Sequence, residues 1–145
     1  MLQTSMTPAE VTSTREMYGL TQDSFAEWLG VNRNTVLRWE RGLTAVGAGI
    51  PVEFSKLEQI TALNVQLILA ALEAAPDAWV VTYEKLSDFQ ANNPGVALTD
   101  RWHRAVIARV QLDRPETRAL YWGQDDEELT ILQIPVSMPD WANHG

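Results

Sequence analysis

The stretch from Gly19 to Gly42 reads Gly-Leu-Thr-Gln-Asp-Ser-Phe-Ala-Glu-Trp-Leu-Gly-Val-Asn-Arg-Asn-Thr-Val-Leu-Arg-Trp-Glu-Arg-Gly and constrains the fold more than any other part of the chain. Thr21 can cap a helix, because its hydroxyl can accept a bond from an orphan backbone N–H one turn later. Phe25, Ala26 and Leu29 follow at helical spacing and make one apolar stripe. Gly30 stands where a left-handed residue would end that helix. Val31 is expected to pack into the corner, and Asn32 to cap a second helix. In that helix Val36 and Trp39 are expected to face inward, with Arg33, Asn34 and Arg38 on the opposite side and Gly42 closing it. Two short helices joined by a tight turn follow from the order of these residues.

The second helix therefore separates a core face from a face carrying two guanidiniums and an amide. Arginine suits bidentate contact with guanine O6 and N7, and asparagine suits adenine N6 and N7. Arg33, Asn34 and Arg38 are the expected base-reading set, and Gln22 is placed to bond a phosphate that fixes register. Thr21, Asn32 and Arg41 are grouped with Gln22 on the phosphate side, although Arg41 can equally pair with Glu40 or solvent. Gly-Leu-Thr-Gln, Ala-Glu-Trp-Leu-Gly-Val and Arg-Trp-Glu-Arg-Gly resemble the phage-repressor (Cro/C1-like, or XRE) helix-turn-helix family. The resemblance implies phosphate contact by Gln22, base contact by Arg33, Asn34 and Arg38, and core positions for Val31, Val36 and Trp39. It covers about the first third of the chain. Leu37 departs from the small or polar residue usual there, and either meets a thymine methyl or is a tolerated apolar surface residue.

Charge is distributed unevenly. The chain of 145 residues carries a net charge of −8. Residues 1–50 hold four arginines and five acids, whereas residues 51–145 hold seven cations against fourteen acids. An acidic body repels DNA away from the reading head, so binding would depend on a few well-placed contacts. One such head is weak alone, which points to a homodimer. No cysteine occurs, which excludes disulfides and thiolate metal sites. No apolar run is long enough for a bilayer, and no basic segment followed by an apolar stretch opens the chain. A cytoplasmic protein with no membrane partner is expected.

The fold class expected is α+β, mainly α, with a helix-turn-helix bundle over 1–50, a long connecting helix over 51–75 and a C-terminal dimerisation domain over 76–145. Thr7-Pro8 reads as a cap followed by proline at the first helical position. That helix should run to about Tyr18, with Val11, Met17 and Tyr18 on its packing face. From residue 60 the long helix is apolar around most of its circumference, so it is buried either as a central core helix or partly in a dimer seam. Trp79–Tyr83 reads as a strand, residues 85–91 as a short helix, and Asn92-Asn-Pro-Gly95 as a turn cluster. Thr99 or Asp100 caps a further helix in which Leu98, Trp102, Val106 and Val110 form one stripe. Residues 118–122 and 129–134 look like antiparallel strands of a hairpin around the acidic loop Gly123–Glu128.

Tyr83-Glu-Lys-Leu-Ser-Asp-Phe-Gln-Ala-Asn-Asn-Pro94 with Trp102 resembles the C-terminal domain of anti-CRISPR-associated autorepressors and their YdiL-like relatives. That resemblance implies homodimerisation through the C-terminal part and autorepression at an inverted repeat. The chain departs from the pattern after about Val110. His103 and His144 are the only histidines, which makes a paired-histidine metal site or a histidine-based triad depend on a tail residue. His103 reads as a solvated or hydrogen-bonded helix residue. Asp125-Asp126-Glu127-Glu128 lacks the spacing of a calcium loop, and no phosphate-cradling glycine motif is present. Neither an enzyme nor a cofactor is expected. The leading expectation is a repressor of double-stranded DNA carrying an inverted repeat. Two rivals are an antitoxin or adaptor whose acidic half binds a protein partner, and a regulator that binds structured RNA.

Overall fold

Thr7 begins the first helix with a capping box: its hydroxyl accepts from the Glu10 amide, and the Glu10 carboxylate accepts from the Thr7 amide. In the computed structural model, which describes residues 5–124 and 126–143, this helix is α1 (Pro8–Met17). It is followed by α2 (Gln22–Leu29), α3 (Arg33–Glu40) and the long α4 (Ile50–Ala74). Then come β1 (Trp79–Thr82), α5 (Leu86–Asn92), α6 (Asp100–Asp113), β2 (Arg118–Tyr121) and β3 (Ile131–Leu132). A single 3-10 turn, Asp140–Asn143, lies near the C-terminal end of the described residues. No helix among the described residues is long and apolar enough to cross a membrane.

The fold is α+β and mainly helical, but its sheet differs from the expected hairpin. The strand order is β2-β1-β3 and both pairings are parallel, with Trp79 opposite Arg118 on one side and Ile131 on the other. β1 is thus inserted between two strands that neighbour each other in sequence. The reason lies in its composition. Val80, Val81 and Thr82 are all buried, without the alternation of a half-solvated strand, and a strand covered on both faces takes the central place in a parallel sheet. The loop joining β2 to β3 passes β1 instead of turning back directly. Asp125 in that loop and His144 in the tail lie outside the described residues.

One apolar core runs from Val11 to Val110 and joins all the major helices to β1. Phe25 of α2 stacks on Phe54 of α4 with ring centroids 4.9 Å apart. The expected stripe Leu98, Trp102, Val106 and Val110 is buried throughout. Trp102 satisfies its indole N–H on Thr61 Oγ1 at 3.0 Å, as a buried indole requires. Tyr18 donates its hydroxyl to Glu58 Oε1, and Arg109 grips both oxygens of the same carboxylate. The end of α1, the first half of α4 and the last turns of α6 meet at this point. Burial first, then Glu58, pushes the Tyr18 hydroxyl up to about 12. Met17 does not join the packing face expected of it and stands 54% exposed.

His103 is buried, not solvated: its Nδ1 lies 2.7 Å from Thr82 Oγ1, and its ring meets Tyr83 edge-on. Burial, aided by the nearby Arg104 cation, lowers its pKa to about 4. The chain after β3 is held down by amides. Asn64, deep in α4, donates to the Ser137 carbonyl and accepts from the Ser137 amide, both at 2.9 Å. Asn93 accepts from Val136.

Candidate nucleic-acid interface

α2 and α3 are set by local chemistry that the sequence already carries. Thr21 caps α2 through the Ser24 amide, and Ser24 returns a side-chain acceptor to the Thr21 amide. Gly30 ends α2 at φ 72°, a left-handed conformation that glycine enters without a Cβ penalty. Asn32 then caps α3, its Oδ1 accepting from the Asn34 amide at 2.8 Å. Val36 and Trp39 turn inward as expected. Val31 does not: it is exposed at the corner, because Gly30 turns the chain outward before Asn32 starts α3. The corner is closed instead by Leu29 and Trp28, which pack against the core from the end of α2.

α3 is fastened from behind. Arg15 of α1 donates from Nε and Nη2 to the two oxygens of Glu40 at 2.7 and 2.9 Å, and from Nη1 to the Leu20 carbonyl. Both side chains of this ion pair are close to fully buried. A fork-shaped guanidinium on a carboxylate gives geometric restraint as well as energy. Burial alone raises the Glu40 carboxyl, but the bonds from Arg15 and Gln22 outweigh it and hold the group below its ordinary value. Glu40 therefore pairs with Arg15, and Arg41 is left facing outward.

On the outer side of α3 the structure brings Arg33, Asn34, Arg38 and Arg41 together, all exposed, with Leu37 half-buried among them. No ion pair among the described residues holds Arg38 or Arg41. Arg33 leans toward α2: its Nε is 3.3 Å from Asp23 Oδ1 and its Nη2 is 3.3 Å from Gln22 Oε1. Both members of the Asp23 pair are well exposed, so the link is weak and easily exchanged. Gln22 donates one N–H to Glu40 at 3.2 Å. An amide nitrogen carries two N–H groups, so the second remains for an external acceptor. The hydroxyl of Thr21 and the amide oxygen of Asn32 are occupied by their caps, which leaves the Asn32 NH₂ as that residue's outward donor.

One residue of this surface had no signal in the sequence. Arg101, at the start of α6, lines a hollow of about 320 Å³ with Arg15, Glu16, Gly19, Leu20, Thr21 and Arg104, beside the first turn of α2. The long sequence separation between Thr21 and Arg101 hides the approach. The cause is Gly19, against whose Cα the backbone of Arg101 lies so closely that any Cβ would collide with the Arg101 carbonyl. A glycine before a helix cap suggests a tight turn; only the fold tells that another helix fills its missing side chain.

No protein-family model matches this chain, and no curated protein matches its sequence. The functional reading therefore rests on the geometry and chemistry of the surface.

Proposed function

We propose that this protein is a sequence-specific transcriptional repressor that binds duplex DNA as a homodimer, with α3 of each copy in the major groove. The observation that carries the reading is the division of α3 between an inner face pinned by the buried Arg15–Glu40 pair and an outer face on which Arg38 has no ion pair among the described residues and Arg33 only an exposed, exchangeable one. A helix held along its back, with exposed guanidiniums and an amide along its front, has the form of a recognition helix. Arg38 and Asn34 reach base edges, and Arg33 joins them by exchanging Asp23 for a base or a phosphate. Gln22, Asn32 and Arg41 bond phosphates, Thr21 supplies the first turn of α2, and Arg101 adds a cation on the same flank. Helices of a dimer spaced about 34 Å apart read two half-sites of an inverted repeat.

The test is a mobility shift with duplex DNA taken from upstream of the protein's own gene, over a salt series. Arg38→Ala should weaken the specific complex by about 1–3 kcal/mol and relax discrimination at one base. Arg101→Ala should weaken all sequences alike and reduce the salt slope by about 0.9. Unchanged binding in Arg38→Ala would remove α3 from the interface, and structured RNA as competitor would show whether another nucleic acid is preferred.

A further inference from the structure

α4 carries an unusual surface. From Gln59 to Leu72 it contains no charged residue. Its inner side, including Ile60, Asn64, Ile68 and Leu72, is buried in the core. Its outer side, formed by Gln59, Leu63, Gln66, Leu67 and Ala70, faces outward, and Leu63 and Leu67 are each 37% exposed. A helix face turned to water normally bears charge, and a contiguous exposed apolar face marks a site of association. Beside it a groove of about 430 Å³ runs between the ends of α1 and α6, its floor lined by Met17, Ala62, Val65, Gln66 and Leu112 and its edge by one cation, Arg109, and one carboxylate, Asp113. Leu112 projects from its edge, 81% exposed.

We infer that this face, the outer side of α4 with the Met17–Leu112 groove, is where a second copy of this chain docks. A symmetric interface needs one patch that is complementary to itself. Here the projecting side chain, Leu112, and the groove that can receive it lie on the same patch. Gln59 and Gln66 each offer donors and an acceptor, so their amides can pair with the same residues of another copy. Charge selects the occupant. The chain carries −8 overall, so two copies repel wherever their acidic surfaces meet. Between Gln59 and Leu72 the outer side of α4 lets them approach without apposing carboxylates, and in the groove the Asp113 carboxylate is accompanied by the Arg109 cation. A basic protein partner would be drawn instead to the acidic surface elsewhere. The inference rests on the DNA-binding reading only for its use, the placing of two recognition helices; the surface itself is argued without DNA.

Sedimentation equilibrium of the full chain at micromolar concentration, without DNA, tests it. The wild type should sediment at twice its 16.3 kDa mass. Leu63→Glu with Leu67→Glu, and separately Leu112→Glu, should weaken dimerisation by about tenfold or more, since each buries an unpaired carboxylate. Leu43→Glu, at a residue 68% exposed outside this face, should leave the dimer intact. Should the double variant fail to fold by circular dichroism, Leu112→Glu decides, because so exposed a residue supports little packing. A monomeric wild type, or full dimerisation in Leu112→Glu, overturns the inference. A monomer that still shifts duplex DNA overturns the surface and leaves the DNA reading standing. A dimer that is lost in Leu112→Glu but never binds duplex DNA does the reverse.

Discussion

Arg104 on α6 donates to the carbonyls of Tyr83 and Glu84 and to Asp100, whereas Arg38 on α3 projects from its helix with no ion pair among the described residues. The contrast extends across the two halves. Arg109 is held by Glu58, Arg114 by the Pro76 carbonyl, and Arg118 lies over the Trp79 ring at 4.3 Å. In the second half these cations tie backbone and sheet together. In the first, Arg15 is tied down and the arginines of α3 are left outward. The same residue type thus builds structure where its fork is saturated and offers chemistry where it is not.

Arg15→Met should break the comparison most severely. It strands the Glu40 carboxylate among buried groups and should cost about 3–5 kcal/mol in urea unfolding, whereas Arg38→Met should change stability by no more than about 0.5 kcal/mol. Equal costs in the two variants would mean that the outer arginine also has a structural partner. The next effect belongs to His103. Its folded-state pKa of about 4 lies below the ordinary 6.5, so the unfolded chain takes up the proton first. Stability is therefore complete above pH 6.5 and falls as the pH drops toward 4, by about 3 kcal/mol in all. Thermal midpoints measured across that range should show the decline, and His103→Asn should flatten it. A wild-type profile that is level between pH 6.5 and 5 would contradict the burial of the ring.

Smaller effects sharpen the picture of the reading head. Thr21→Ala removes the α2 cap and should cost about 1 kcal/mol by chemical denaturation. Asp23→Asn should leave stability within about 0.5 kcal/mol, since its pair with Arg33 is exposed. The same change should tighten DNA binding slightly, because it removes a negative charge beside Arg33. Weaker binding would mean that Asp23 positions Arg33 for its contact.

The parts legible in the sequence are those decided within one or two turns of chain. Thr7, Thr21 and Asn32 cap the helices they were expected to cap, Thr99 and not Asp100 caps α6, and Gly30 ends α2 as its position implies. The outward set on α3 follows from the same local periodicity. What escaped depends on distant segments. The hairpin expectation came from the short connection between residues 122 and 129, yet β1 entered between the two strands. A hint was available in Trp79-Val-Val-Thr82, whose lack of alternation favours a central strand over an edge. Val31 was expected inside because it is apolar, but one residue after a left-handed glycine its direction is fixed by the turn. Arg101 could not have been placed at all without knowing which helix lies against Gly19.

That contact at Gly19 also bears on how such a chain can change. The backbone of α6 occupies the space of the side chain that Gly19 lacks, two residues before the cap of α2. A helix-turn-helix segment from another protein joined to this body would carry its own residue there, and any Cβ would push α2 and α3 away from their support. On the DNA-binding reading we propose, specificity can therefore change along the outer surface of α3, while the joint behind it accepts only glycine at position 19.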